Sequence, residues 1–83
     1  MKIVYFAGLR RQIGVGEEII EPPAGVSSVE ALVAWLKTHS PAHKSAFEGC
    51  PRLMVAVNQD YADFDAKLAQ DDEVAFFPPV TGG

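Results

Sequence analysis

Ser27-Ser28-Val29-Glu30-Ala31-Leu32-Val33-Ala34-Trp35-Leu36 is the best-marked helix of the chain. Val29, Leu32, Val33 and Leu36 recur at i, i+3, i+4 and i+7, which puts them on one stripe and predicts a helix with one buried side. Ser27 stands where an N-cap is expected, and Glu30, three residues on, can complete a capping box. The helix is expected to end near His39-Ser40-Pro41, because proline disfavours helical geometry in the residue before it.

On the N-terminal side, residues 2–7 alternate, with Lys2, Val4 and Phe6 on a wetter face and Ile3, Tyr5 and Ala7 on the other. Leu9 to Gly14 can form one helical turn stopped at Gly14. Glu17 to Glu21 then reads as a short strand ended by Pro22-Pro23-Ala24-Gly25, giving an antiparallel hairpin. On the C-terminal side, residues 41–52 have room for a second short helix before the Gly49-Cys50-Pro51 break. Leu53 to Val57 is a strand, Asn58-Gln59-Asp60 turns the chain, residues 64–68 are irregular, and Glu73 to Phe77 is the last strand. A helix between strands of one sheet normally crosses over to a parallel position. The order therefore predicts an α+β fold of the β-grasp type: a mixed sheet with one main helix packed across it, over residues 1–77, followed by an extended tail, residues 78–83.

Composition narrows the function classes. A chain of 83 residues makes one domain, and its apolar and charged fractions of 48% and 22% are those of ordinary globular domains, which argues against disorder. A formal charge of -4 repels phosphate backbones and anionic lipid, so neither nucleic acid nor a membrane surface is the expected partner. The apolar run that opens the chain is too short for a signal peptide or a membrane span. The single cysteine, Cys50, cannot form an internal disulfide, which fits a reducing cytoplasm.

Groups for self-contained catalysis are nearly absent. His39 and His43 straddle Pro41 and read as solvated or capping histidines rather than as metal ligands. Cys50 sits in a turn without a basic cluster to lower its pKa, and Trp35 lies beside the helix stripe as a packing residue. Arg10 and Arg11 could hold an anion or a partner carboxylate, and the acidic residues from Asp60 to Glu73 read as a solvated face. No bound metal or cofactor is expected.

The ending, Phe76-Phe77-Pro78-Pro79-Val80-Thr81-Gly82-Gly83, fits one task. Two prolines cannot continue a sheet and favour an extended form, so they are expected to launch the tail away from the domain. At about 3.1–3.4 Å per residue the tail reaches roughly 20 Å from Phe77. Gly82 and Gly83 carry no side chain to block a narrow channel. A carboxylate is a poor electrophile, so Gly83 must be activated, most directly as an acyl-adenylate made from ATP by a separate enzyme. Displacement of AMP by a sulfur nucleophile would leave a thiocarboxylate.

These residues, with Phe6-Ala7-Gly8-Leu9-Arg10, Val57-Asn58-Gln59 and Asp72-Glu73-Val74-Ala75, resemble the small subunit of molybdopterin synthase, a family of ubiquitin-like sulfur carriers, over essentially the whole chain. The resemblance implies activation of Gly83 by an E1-like adenylating enzyme and its conversion to a thiocarboxylate. It further implies that the synthase large subunit takes up the tail, in a heterotetramer of two large and two small subunits. There two carriers in turn would convert cyclic pyranopterin monophosphate (precursor Z) to the dithiolene of the molybdenum cofactor's pterin. The family's contact surface falls on Phe6, Tyr61 and Phe77, with Pro78, Pro79, Val80 and Thr81 in the tail, and Gly82 belongs with Gly83 to the reacting end. The alternatives are a carrier for thiamine synthesis or tRNA thiolation and a ubiquitin-like protein modifier.

Overall fold

The computed structural model describes residues 1–79. Five strands, β1 (Lys2–Tyr5), β2 (Glu17–Ile19), β3 (Met54–Val57), β4 (Asp60–Ala62) and β5 (Glu73–Phe77), form one sheet in the order β2-β1-β5-β3-β4. β1 and β5 run parallel at the centre, and the β1–β2, β3–β5 and β3–β4 pairs are antiparallel. Helices α1 (Ala7–Ile13), α2 (Val29–Leu36) and α3 (Pro41–Glu48) complete the β-grasp fold. No helix among the described residues is long and apolar enough to cross a membrane.

Period-two alternation sorts the sheet into two faces. Ile3 and Tyr5 of β1, Val55 of β3 and Val74 and Phe76 of β5 are fully buried, together with Val29, Leu32 and Leu36 of the α2 stripe and Leu9, Ala46 and Phe47 from α1 and α3. Phe47 meets Phe76 edge-on at 5.2 Å, and Tyr5 stacks beside Phe76 at 6.5 Å. Burying a side chain of this size contributes about 1.5–3 kcal/mol, so the three rings are a principal hold of α3 on the central strands.

Helix ends show where local rules win and where tertiary contacts override them. Gly14, at φ 95°, closes α1 by donating to the Arg10 carbonyl at 2.9 Å, as a left-handed C-cap does. The cap of α2 falls on Ser28, whose Oγ accepts from the Ala31 N–H at 3.2 Å, and not on the expected Ser27. The reason lies in residues 64–68. The Ser27 carbonyl accepts from Leu68 N–H, while the carbonyls of Ala66 and Phe64 accept from the N–H groups of Val29 and Glu30. The irregular segment thus satisfies the first donors of α2, and the capping box does not form. At the other end, the helix proper stops at Leu36, and bonds from Thr38 and His39 N–H back to Trp35 and Leu36 carry the turn to His39. Ser40 caps α3, with Pro41 at the first helical position.

The turn expected over Asn58-Gln59-Asp60 is shorter than the sequence suggests. Asn58 and Gln59, at φ 51° and 72°, make a two-residue hairpin turn, and Asp60 already belongs to the edge strand β4. The Asn58 amide donates to Asp72 at 3.0 Å and its oxygen accepts from Glu73 N–H at 3.0 Å, tying this turn to the start of β5. The Ala69 N–H and the Asn58 amide hold the Asp72 carboxyl below its ordinary pKa.

Candidate functional site

The face of the sheet turned away from the helices carries an apolar patch. Alternation from the buried residues puts Val4 of β1, Met54 and Ala56 of β3, Tyr61 of β4 and Ala75 and Phe77 of β5 on this side. Phe6 continues the β1 alternation. Met54 faces Phe77 in register, and Ala56 faces both Ala75 and Tyr61. Alanines in the middle rows keep the surface low, so the aromatic rings at its edge stand clear.

Phe6, Phe77 and Tyr61 form one group. Phe77 lies edge-on to Phe6 with ring centres 6.4 Å apart, and Tyr61 lies 5.8 Å from Phe77 on the other side. Phe6 is 49% exposed and Tyr61 73%, whereas Phe77 between them is half-buried. The structure therefore brings together the three side chains that sequence comparison assigned to one contact surface. Met54, 39% exposed, joins them; its place opposite Phe77 depends on strand register, which sequence alone does not give. Lys2 sets a charged limit to the patch, bridging Glu17 at 3.0 Å and Glu73 at 3.7 Å; these two carboxylates raise its pKa. An exposed apolar patch with a polar rim is the usual form of a protein-binding surface.

β5 leads from this patch directly into the tail. Pro78 and Pro79 are both half-buried, and Pro78 forms part of the wall of a groove between α1 and α3. The chain thus stays against the domain at this point and does not leave it at the first proline as expected. Val80, Thr81, Gly82 and Gly83, the remaining predicted site residues, lie outside the described residues.

His43 is not the solvated residue that the sequence suggested. It is 8% exposed, and its ring joins a network across three elements: Nε2 donates to Glu18 Oε2 at 2.9 Å, Nδ1 meets Ser40 Oγ at 2.8 Å, and Tyr5 O–H donates to the same Glu18 oxygen at 2.7 Å. Pro41 starts the helix α3 and so turns His43 inward; read only as a helix breaker, it hid this. Burial pushes the Glu18 carboxyl up, but the bonds from His43 and Tyr5 outweigh it and leave its pKa lowered. Burial, then the Glu18 bond, raises Tyr5 well above the ordinary tyrosine range. His39 does act in capping: its Nδ1 bonds the Trp35 carbonyl at 3.2 Å, with the ring edge-on to Trp35 at 4.4 Å. Among the described residues, no three His, Cys, Asp or Glu side chains converge as metal ligands. Trp35 packs against the core, and Cys50 is a free, half-buried thiol.

The comparisons with known proteins agree with this geometry. The ThiS family matches residues 3–83. A curated relative from Escherichia coli (strain K12), the molybdopterin synthase sulfur carrier subunit, is 41% identical over 83 residues, covering 100% of this chain and 99% of the relative. Among solved structures, a putative molybdopterin converting factor subunit 1 from Pyrococcus furiosus matches with a TM-score of 0.78 at 33% identity, over 95% of each chain. SAMP1 from Haloferax volcanii matches with a TM-score of 0.78 at 28% identity, over 100% of this chain and 98% of that one. With a family match over nearly the full length, a β-grasp sheet and a full-length relative at 41% identity, this chain belongs to the ThiS family and stands among its molybdopterin synthase sulfur carrier subunits.

Proposed function

We propose that this chain is the sulfur carrier subunit of a molybdopterin synthase, working in the cytoplasm, and that its reactive group is the carboxylate of Gly83. The observation that carries the reading is the continuity of β5: the strand holds Phe77 at the centre of the exposed aromatic group and runs on into Pro78, Pro79 and the tail. One surface then docks the partner while the chain leaving it delivers the reacting atom. On this reading the catalytic pocket belongs to the partner.

In the first half of the cycle an E1-like enzyme supplies ATP. A Gly83 carboxylate oxygen attacks the α-phosphorus and pyrophosphate leaves, giving the acyl-adenylate. A sulfur nucleophile attacks the acyl carbon and AMP departs, so that one oxygen of the carboxylate is replaced by sulfur. In the second half the large subunit binds Phe6, Tyr61 and Phe77 and takes in Val80, Thr81, Gly82 and Gly83, within a complex of two large and two small subunits. The thiocarboxylate sulfur then attacks a carbon of precursor Z while the C–O bond there breaks and its oxygen leaves. Hydrolysis of the resulting thioester returns the Gly83 carboxylate and leaves the sulfur on the pterin as a thiolate. A second carrier supplies the second sulfur in the same way. The chain binds no cofactor of its own; ATP belongs to the adenylating partner.

The Escherichia coli carrier subunit, at 41% identity, is a nearer relative than SAMP1 at 28%, which favours synthase work over protein modification. Purification of the tagged chain from its own cell, followed by intact mass, tests the reading. A copurifying large subunit and a mass change of one oxygen replaced by sulfur are expected. A chain joined through Gly83 to lysines of other proteins, with no sulfur gained, would refute it.

A further inference from the structure

We infer that Arg10 receives a carboxylate side chain of the large subunit at the edge of the aromatic patch. The inference rests on the carrier reading and adds one charged anchor to its apolar docking surface. The two adjacent arginines of α1 meet different surroundings. Arg11 lines the groove between α1 and α3, whereas Arg10 lines a separate cleft of about 210 Å³ with Val4, Phe6, Gly16, Lys2 and Glu17. Val4 and Phe6 also belong to the open face of the sheet, so cleft and patch are continuous. Strand order puts the cleft on the β2 side of Phe6, and Phe77 and Tyr61 follow on the other side.

The local fold gives the guanidinium a defined place. Gly14 caps α1 and turns the chain back, and the Tyr5 N–H donates to the Gly16 carbonyl at 2.9 Å, which ties the returning loop to β1. The Arg10 side chain crosses over Gly16: a β-carbon there would stand 3.1 Å from both its Cζ and its Nε, closer than ordinary contact. Its charge is also available. Lys2, the other cation of the cleft, is shared by Glu17 and Glu73, and the ion pairs among the described residues do not include Arg10. A guanidinium presents a planar fork of N–H donors that matches a carboxylate in a two-point pair. Glu17 in the same cleft repels a phosphate dianion more than a single carboxylate, which favours an Asp or Glu side chain. A chain of formal charge -4 attracts basic surfaces generally, so one required acid opposite Arg10 fixes orientation and partner choice.

Calorimetric titration of the full chain with the large subunit tests this at about 0.1 M and about 1 M NaCl, where charges are screened beyond about 10 Å and about 3 Å. At the lower salt Arg10→Ala should weaken binding about tenfold, the effect of one charge-assisted pair. At the higher salt the loss should shrink to about threefold or less. Arg10→Lys keeps the charge without the fork and should fall between wild type and Arg10→Ala. Arg10→Glu should bind more weakly than Arg10→Ala, because it faces a like charge. Arg11→Ala should stay within about twofold of wild type. Arg10 is exposed, and thermal melts check that each variant remains folded. Wild-type affinity in Arg10→Ala and Arg10→Glu, beside a loss in Phe77→Ala, would overturn the inference and leave the carrier reading standing. Equal losses in Arg10→Ala and Arg11→Ala would also overturn it, since they report overall charge and not a site at the patch. Failure of the wild-type chain to bind the large subunit would refute the carrier reading, and the inference with it.

Discussion

Glu18→Ala tests the network that holds α3 to the sheet. The substitution removes one oxygen that accepts from Tyr5 O–H at 2.7 Å and from His43 Nε2 at 2.9 Å. Tyr5 is 1% exposed and His43 8%, so neither donor can turn to bulk water without opening the packing. Leaving a buried polar group unpaired costs about 1–3 kcal/mol, and two such groups give an expected loss of about 2–6 kcal/mol. For a domain of this size each kcal/mol lowers Tm by about 4–8 °C, so a fall of at least about 8 °C is expected. Urea unfolding with linear extrapolation measures the loss, and Glu17→Ala is the control. That residue's pair with Lys2 is exposed at the surface, so its loss should leave stability close to that of the wild type. In a cycle with Tyr5→Phe, the double variant should lose less than the sum of the singles. A Glu18→Ala loss below about 0.5 kcal/mol, or strict additivity in the cycle, would refute the reasoning. The sign with pH follows from the carboxyl. Its folded pKa lies below the ordinary 4.5, so its contribution is complete above that value and is lost as pH falls through the folded pKa. The stability gap between wild type and Glu18→Gln should therefore close in that acid window and stay open near neutrality.

Two further substitutions separate docking from chemistry. Phe77→Ala should weaken association with the large subunit by about 1 kcal/mol or more while costing the free domain less, checked by calorimetric titration and thermal melts of the same variant; unfolding without specific loss of affinity would make Phe77 a core residue. Cys50→Ala should leave sulfur transfer at the wild-type rate, because sulfur is held on the terminal carboxyl, and loss of transfer in a folded variant would move the chemistry to the thiol.

Much of this fold is written in short-range pattern. The stripe Val29, Leu32, Val33, Leu36 gave α2, and alternation in β1 correctly assigned Ile3 and Tyr5 to the core and Phe6 to the open face, whereas Ala7, expected beside Ile3 and Tyr5, is exposed and begins α1. Features that depend on distant partners were not legible. Ser28 rather than Ser27 caps α2 because residues 64–68 occupy Ser27, a contact between segments about forty residues apart. β4 was missed because Gln59, at positive φ, is not a residue that announces a two-residue turn, and the strand is held mainly by its pairing to β3. The burial of His43 depends on partners far away in sequence, Tyr5 and Glu18, that meet its ring. For the site, Phe6 and Phe77 carried a signal in their strand alternation and Tyr61 was named only through the family resemblance, while Met54 and the alanine rows required the register of β3 against β5. The proline pair suggested departure from the domain and did not show that Pro78 lies against the groove.

The central claim is that the large subunit holds Gly83 at a fixed depth. Its most direct test is molybdopterin formation, with a fixed amount of large subunit, from chemically thiocarboxylated wild-type chain and from a chain extended by one alanine after Gly83. Chemical loading bypasses adenylation, so only delivery differs. One added residue moves the sulfur about 3.5 Å along the tail, and a misplacement of even 1 Å in a reacting group can cost about 100-fold in rate. The account predicts that the extended chain binds the large subunit and forms almost no product. Product at the wild-type rate from the extended chain would contradict it.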